Sequence, residues 1–201
     1  MSEFTKIAKN NLIRENQILV QVLGICSTLA VTNNLRNTAI MATGVTLVTG
    51  LSNLTVSLFK GYIPRKVRMM VETLIIAFYV IIVDIVLRAY LPDVSKALGP
   101  YVGLIITNCI IMGRAEAFAQ ANNPVISLWD GLTAGAGYSL VLLIVASIRE
   151  LLGFGTLFNI PIMPKSFTPF TIMVMAPSAF FIVAILIWIT KSLSLKVGGK
   201  K

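Results

Sequence analysis

Apolar residues fall into six segments along the chain, and short polar stretches separate them. A transmembrane helix needs about 20 apolar residues to cross a hydrocarbon core of about 30 Å, and four segments meet that length. Two do not, because Ile18–Val31 and Tyr101–Met112 reach only roughly 21 and 18 Å at a rise of about 1.5 Å per residue. The pattern predicts an all-α integral membrane protein whose first and fourth segments are half-helices. The four long segments are Asn37–Phe59, Val67–Leu91, Leu128–Ile148 and Phe170–Ile189.

The order of the segments is short, long, long, and then the same again. A helix that ends part-way through the bilayer leaves backbone groups unpaired, so protein must shelter its end. A matched pair of short segments in two halves is typical of inverted repeats. We therefore predict one transmembrane domain, residues 1–201, made of two inverted three-helix repeats at about 17–91 and about 100–190. A Gly- and Pro-rich stretch, Leu152–Pro169, is predicted to be a loop of the second repeat.

Composition favours a lipid environment over nucleic-acid binding. The chain is 56% hydrophobic and 12% charged, whereas a soluble domain has about 25% charged residues. Its basic residues lie in short polar stretches and are not interleaved with aromatics as in a nucleic-acid groove. Twelve of the 17 lysines and arginines fall on the face that both termini share, and five on the other. Because cytoplasmic segments carry the excess of positive charge, both termini are predicted to be cytoplasmic.

Small residues recur every four positions in two of the long segments. Ala42, Thr46 and Gly50 do so in the second segment, and Gly131 and Gly135 in the fifth. Such stripes let helices approach closely in lipid, so we interpret both as helix-packing surfaces.

The chain has no histidine and only two cysteines, Cys26 and Cys109. Without histidine, haem ligation by two histidines, Rieske-type clusters and Ser-His-Asp catalysis are excluded. Each cysteine lies in a half-helix, so segments that enter from opposite faces are expected to bring the sulfurs together near the midplane. Thiolates select zinc, Cu(I) or iron–sulfur clusters, and a four-thiolate [2Fe–2S] cluster would need two more cysteines from a partner. The alternative, that each cysteine is a small apolar packing residue, stays open.

Three stretches make the sequence similar to a known family: LGICSTLAVT around Cys26, VGLIITNCIIMGRAEAFA around Cys109, and APSAFFI near the end. They closely resemble the D-subunit family of the sodium-translocating NADH:quinone reductases, to which the E protein of the Rnf complex is equivalent. The resemblance covers nearly the whole chain, and the stretch CSTLAVT is more similar to the quinone reductases than to Rnf.

This resemblance implies a function that the spacing alone does not. In the family, the D and E subunits are paralogues of opposite topology that jointly hold a [2Fe–2S] cluster in the bacterial inner membrane. The family's cluster cysteines match Cys26 and Cys109, and the paralogous E protein supplies the other two. With the A, B, C and F proteins, the complex is expected to pass electrons from NADH to ubiquinone while it exports sodium. The chain has no S-G-A-T-like flavin-attachment motif or nucleotide fingerprint, so we expect no flavin and no activity on its own.

Three acidic residues in the long segments are candidate sodium contacts, because a carboxylate inside a membrane is costly and usually functional. Asp84 lies deep in the third segment, although an ion pair with Arg88 one turn later is the simpler interpretation. Glu72 and Asp130 lie near the predicted cytoplasmic ends, where a solvated, interfacial role is the simpler expectation. Two further acids, each close after an arginine, are interpreted as boundary charges: Glu116 and Glu150.

Other functions remain open at this point. A component of an Rnf-type ferredoxin:NAD complex would carry a related sequence. An ion transporter without a redox centre would account for inverted repeats and half-helices, and a scaffold protein would need no cofactor. We favour the redox interpretation because the short segments centre on thiols, whereas transporters place polar or ionisable groups at that depth.

Overall fold

The computed structural model describes residues 7, 11, 18–32, 34–64, 66–90, 99, 101–153, 156–157, 160–161 and 175–198. These residues form six α-helices, a further helical stretch at residues 101–106, one π-helical turn and one pair of two-residue strands, so the predicted all-α class is confirmed. The helices are α1 Ile25–Val31, α2 Leu35–Phe59, α3 Arg68–Tyr90, α4 Cys109–Arg114, α5 Pro124–Gly153 and α6 Ala176–Gly198. The π-helical turn, Ala115–Ala119, continues α4, and the antiparallel strands, Thr156–Leu157 and Ile160–Pro161, lie in the predicted loop.

Four helical stretches in the described part of the chain are long and apolar enough to cross a membrane. Three of them contain or overlap the predicted second, third and fifth segments. The first predicted segment is confirmed as too short, because its helix α1 has only seven residues. The four stretches are Leu35–Phe59, Arg68–Tyr90, Tyr101–Ala119 and Pro124–Gly153.

The predicted length of the fourth segment is wrong. It was expected to end at Met112, before the polar letters GRAE, but its helical path continues to Ala119 and spans 19 residues. These polar residues do not end the helix, because Arg114 is buried and neutralised by a carboxylate of α5. The sixth segment has a described apolar helix over Pro177–Ser192, and residues 170–174 of that prediction lie outside the described residues.

The centre of the fold is the contact between α2 and α5, which is the most extensive helix pair among the described elements. A Cβ added to Gly135 would lie 2.8 Å from the Cα of Thr46. A Cβ added to Gly131 would lie 2.8 Å from the carbonyl oxygen of Thr49. The two backbones therefore touch, which small residues permit and larger ones prevent. The predicted packing surfaces on these two segments are confirmed.

Helix α3 lies beside α2 and turns a wide apolar surface outward. The hydroxyls of Tyr79 and Thr55 are 2.7 Å apart and join the two helices. On the other side of α3, Leu74, Phe78 and Ile81 are exposed. A helix that exposes large apolar side chains along its length suits contact with lipid or with another membrane protein.

We expect Gly135→Ala to destabilise the protein by about 1–3 kcal/mol, the usual cost of overpacking. The added methyl group would meet the backbone of Thr46, which cannot move away as a flexible side chain could. Thermal unfolding of the purified protein measures this loss. Gly44→Ala is the matched control, since its added Cβ would meet only the Val83 side chain at an ordinary 3.7 Å. Equal melting temperatures for the two variants would contradict the close approach of α2 and α5.

Candidate functional site

The first cysteine lies just after a non-helical stretch that ends at Gly24, the first helix break, and α1 begins at the next residue. Val22 and Gly24 have positive φ angles of 58° and 78°, and helical geometry begins at Ile25. The carbonyl oxygen of Gly24 accepts hydrogen bonds from the Thr28 amide at 3.2 Å, the Ser27 hydroxyl at 3.0 Å and the Thr28 hydroxyl at 2.9 Å. These bonds close the first turn of α1, and Cys26 is exposed within that turn.

The second cysteine follows a similar break before α4. Residues 101–106 are helical, residues 107 and 108 interrupt the helix, and α4 begins at Cys109. Asn108 has an extended backbone, and its side-chain oxygen accepts the amide of Ile110 at 3.1 Å. An asparagine in this position caps the new helix by satisfying one of its unpaired amides. Cys109 is exposed, as Cys26 is.

The two breaks pack against each other. A Cβ added to Gly24 would lie 2.5 Å from Cδ1 of Ile110, and the φ of 78° at Gly24 is one that other residues rarely adopt. The side-chain amide of Asn108 donates to Ser27 Oγ at 3.5 Å. Ser27 directly follows Cys26, and Asn108 directly precedes Cys109. The two sequence-predicted cysteines therefore flank one contact between two helix breaks.

Both thiols face out of the chain at this contact. Ser27 and Asn108 are each 3% exposed, whereas the adjacent cysteines are exposed. No group of three or more histidine, cysteine or acidic residues able to hold a metal occurs among the residues that the structure describes. The candidate soft donors at this contact are the two exposed cysteines. They fit half of a four-thiolate centre, and a partner chain would have to supply the other half.

Asp130 does not have the solvated role expected for it. The residue is fully buried, and its carboxylate takes two hydrogen bonds from the guanidinium of Arg114, one of them Nε to Oδ2 at 3.0 Å. Asn11 Nδ2 also donates to Oδ1 at 2.8 Å. That expectation is wrong because helix α4 brings a cation to a carboxylate that is far from it in sequence. A buried carboxylate needs such pairing to stay charged.

Glu72 is also buried, at 1% exposure, so the solvated role expected for it is wrong. Its carboxylate accepts a hydrogen bond from Gln120 Nε2 at 2.8 Å. Asp84 instead forms the i,i+4 ion pair with Arg88, at 2.8 Å, that the spacing favoured. The three acidic candidates are therefore not brought together with the cysteines by any contact among the described residues.

Sequence reasoning missed a second buried use of charge, at the junction between α1 and α2. The guanidinium of Arg149 donates to Thr32 Oγ1 at 2.6 Å and to the carbonyl of Leu29 at 3.4 Å, both at the end of α1. Glu150 accepts the amide of Leu35, the first residue of α2, at 2.7 Å. Glu150 is thus a helix cap and not the boundary charge expected. The sequence feature that could have indicated this role is the pair of adjacent opposite charges, Arg149 and Glu150, at the end of a long apolar segment.

The four long apolar helical stretches define a multi-pass membrane protein, and comparisons with known proteins agree. A family model described as "Rnf-Nqr subunit, membrane protein" matches residues 4–187. The D protein of the Na(+)-translocating NADH-quinone reductase of Pseudomonas paraeruginosa is 50% identical over 184 residues, which are 89% of this chain and 82% of the relative. Its counterpart from Proteus mirabilis is 47% identical over 191 residues, 92% of this chain and 91% of the relative.

A third relative extends the match further. The corresponding D protein of Psychromonas ingrahamii is 45% identical over 197 residues, which are 96% of this chain and 94% of the relative. The chain therefore belongs to the Rnf-Nqr family of membrane subunits, and within it to the D subunits of the Na(+)-translocating NADH-quinone reductases.

We expect either single change in the buried pair, Arg114→Met or Asp130→Asn, to cost about 3–5 kcal/mol of stability. Each leaves one buried charge without its partner. The double variant should cost less than the sum of the two, because no unpaired charge remains. Thermal unfolding of the four proteins gives this cycle. The same cycle on Arg68 and Glu116, whose ion pair is partly exposed, should show a coupling of only about 0–1 kcal/mol. Additive effects at Arg114 and Asp130 would contradict the pairing.

Proposed function

We propose that this chain supplies two of the four thiolates of an intramembrane [2Fe–2S] cluster, which it shares with its paralogue, the E protein of the complex. In this role it relays electrons across the membrane in a sodium-pumping NADH:ubiquinone oxidoreductase and thereby takes part in sodium export. The observation that carries the proposal is the contact of two helix breaks, each with one exposed cysteine beside it. The A, B, C and F proteins would complete the complex, and we assign no flavin to this chain.

The surroundings of the two cysteines suit thiolate ligands. Both residues lie in the first turn of a helix, where backbone amides that have no helical partner favour negative charge. The buried residues next to them, Ser27 and Asn108, are hydrogen-bonded to each other, and Ser27 is also bonded to Tyr138 of α5. A [2Fe–2S] cluster, when bound, would take up and release one electron at a time. The residues of this chain would hold the thiols in place and leave their outer side open to the partner.

Contacts between α2 and α5 support the proposed inverted repeats. The helices run antiparallel, and one central contact has a matching contact one turn away on each side. This is the arrangement expected if an approximate two-fold axis passes through the middle contact. The repeats would cover about 17–91 and about 100–190. The three contacts are Ala42–Ser139, Thr46–Gly135 and Gly50–Gly131.

The helix junctions support the same symmetry. Near the end of α5, Arg149 donates to the carbonyl of Leu29 in α1. Near the end of α2, Lys60 donates to the carbonyl of Asn122, just before α5, at 2.8 Å. Each long central helix of one repeat thus ends with a basic residue that binds the junction before the long helix of the other repeat.

The proposed orientation, with both termini in the cytoplasm, rests on the distribution of lysine and arginine. Arg114 and Arg149 are buried and hydrogen-bonded, so they do not report on the membrane side. Arg114 is counted on the face that the termini share and Arg149 on the other face. The excess on the face shared by the termini therefore persists without them, and this excess is the feature that orients membrane proteins.

Among the acidic residues proposed for an ion path, Glu72 is the best placed to take up sodium. Asp84 and Asp130 each bind a guanidinium, which an incoming cation would have to displace. Glu72 accepts a hydrogen bond from the neutral amide of Gln120, and the charged groups that act on it are Glu116 and Arg68. The amide oxygen of Gln120 and the carboxylate of Glu72 are both oxygen donors, the ligand type that hard cations prefer.

We expect Cys26→Ser and Cys109→Ser each to abolish one reduced [2Fe–2S] signal in the purified complex, because a four-thiolate cluster does not form stably without one ligand. Electron paramagnetic resonance and iron analysis measure the loss, which should be about two irons per complex. Thr107→Ala, an exposed change in the same helix break, is the matched control and should keep the signal. Unchanged signals in both cysteine variants would leave packing as their role.

The two competing functions give different results in the same set of variants. A scaffold protein would keep full electron transfer in Cys26→Ala. An ion transporter without a redox centre would carry sodium into proteoliposomes when no electron donor is present.

We expect Glu72→Gln to raise the sodium concentration for half-maximal quinone reduction, on the order of tenfold, because it removes the charge that would attract the cation. Steady-state rates of the complex over a series of sodium concentrations measure the change. Asp84→Asn removes the same charge from a carboxylate of the same helix that is already paired with Arg88, and we expect it to have a much smaller effect. Equal sodium dependence in the two variants would exclude Glu72 from the ion path.

A further inference from the structure

We propose that Tyr138 is a positioning residue for the thiolates of Cys26 and Cys109, through a hydrogen-bond chain that joins the two helix breaks to α5. The inference rests on the function proposed above, since it concerns the redox behaviour of a cluster at those thiolates. It assigns a role to a tyrosine that neither the sequence pattern nor the family resemblance singled out.

Tyr138 lies in the middle of α5 and is fully buried. Its hydroxyl is 2.5 Å from Ser27 Oγ. The same serine oxygen accepts the side-chain amide of Asn108 at 3.5 Å. One serine oxygen therefore connects the central helix to the turn that holds Cys26 and to the residue just before Cys109.

The direction of these hydrogen bonds follows from the number of hydrogens available. Ser27 has one hydroxyl hydrogen, and it donates that hydrogen to the carbonyl of Gly24 at 3.0 Å. The Ser27 oxygen must then accept from both of its other neighbours. Tyr138 is consequently the donor, and the positive end of its O–H dipole points at the turn that carries Cys26.

The packing of Tyr138 and its hydroxyl can be separated. The ring packs against Gly24, because a Cβ added there would lie 3.1 Å from Cε2 of Tyr138. Phenylalanine would keep this ring contact and remove only the donor. A buried hydroxyl loses its water partners on folding, and the bond to Ser27 offsets that loss for Tyr138. The hydroxyl therefore supplies polarity and position, and the ring supplies packing.

A donor aimed at the ligand turn should affect how easily a cluster accepts an electron. Hydrogen bonds and local dipoles around the ligand sulfurs set cluster potentials. The reduced cluster carries one more negative charge than the oxidised one, and a dipole with its positive end towards the ligands stabilises that charge. Loss of the Tyr138 hydroxyl should therefore make the midpoint potential more negative.

The test is a redox titration of the whole complex carrying Tyr138→Phe. Electron paramagnetic resonance monitors the titration through the signal that Cys109→Ser removes. We expect roughly a tenfold lower ratio of reduced to oxidised cluster at a fixed ambient potential, equivalent to about 59 mV for one electron. Iron content should stay unchanged. Ser27→Ala should shift the midpoint in the same direction, and Ser27→Thr, which keeps the hydroxyl, should stay near the wild-type value.

Tyr79→Phe is the matched control, because it removes a hydroxyl bonded to Thr55 in a different helix pair. Equal midpoints for Tyr138→Phe and Tyr79→Phe, with the Cys109→Ser loss still observed, would overturn this inference and leave the proposed function standing. If neither cysteine variant loses a cluster signal, the proposed function and this inference both fail. If Tyr138→Phe does not assemble, the comparison of Ser27→Ala with Ser27→Thr decides, and equal midpoints for that pair would overturn the inference.

Discussion

The structure depends on satisfying the backbone at two places where a helix breaks inside an apolar segment. An α-helix leaves its first amides without partners, and hydrocarbon offers none. At the first break, the Gly24 carbonyl accepts the Thr28 amide and the Ser27 and Thr28 hydroxyls, which closes the first turn of α1 without a side-chain cap. At the second, Asn108 caps the new helix. The two breaks cover each other, and one exposed cysteine lies beside each of them.

Charged side chains do comparable work at the helix ends further from this contact. Arg149 binds the Leu29 carbonyl and the Thr32 hydroxyl near the end of α1, and Glu150 binds the first amide of α2. Ionisable groups buried in membrane proteins turn towards protein partners. At this junction those partners are two backbone groups and the Thr32 hydroxyl, so the charges stabilise the abrupt turn between a short helix and a long one. Their removal should affect folding before it affects ion movement.

The close contact of α2 and α5 allows both the contact of the two helix breaks and the hydrogen bonds at the junction between α1 and α2. Because Gly131 and Gly135 allow backbone contact, α5 lies near enough to α2 for Tyr138 to reach the first break and for Arg149 to reach the junction beyond it. A wider separation of the two helices would leave both side chains short of their partners. The glycine stripe therefore supports the candidate site from a distance, through the position of α5.

The sequence by itself determined the membrane class, the shortness of the first segment, the packing surfaces of α2 and α5, and the family. These features depend on hydrophobic length, residue size and local order, all of which are written along one stretch of chain. Only the tertiary structure decided that Asp130 and Glu72 are buried and that the fourth segment continues past Met112. Each outcome depends on a partner distant in sequence, Arg114 for Asp130 and Gln120 for Glu72. The role of Tyr138 is of the same kind, because a tyrosine in an apolar helix acquires meaning only from the groups that folding places beside its hydroxyl.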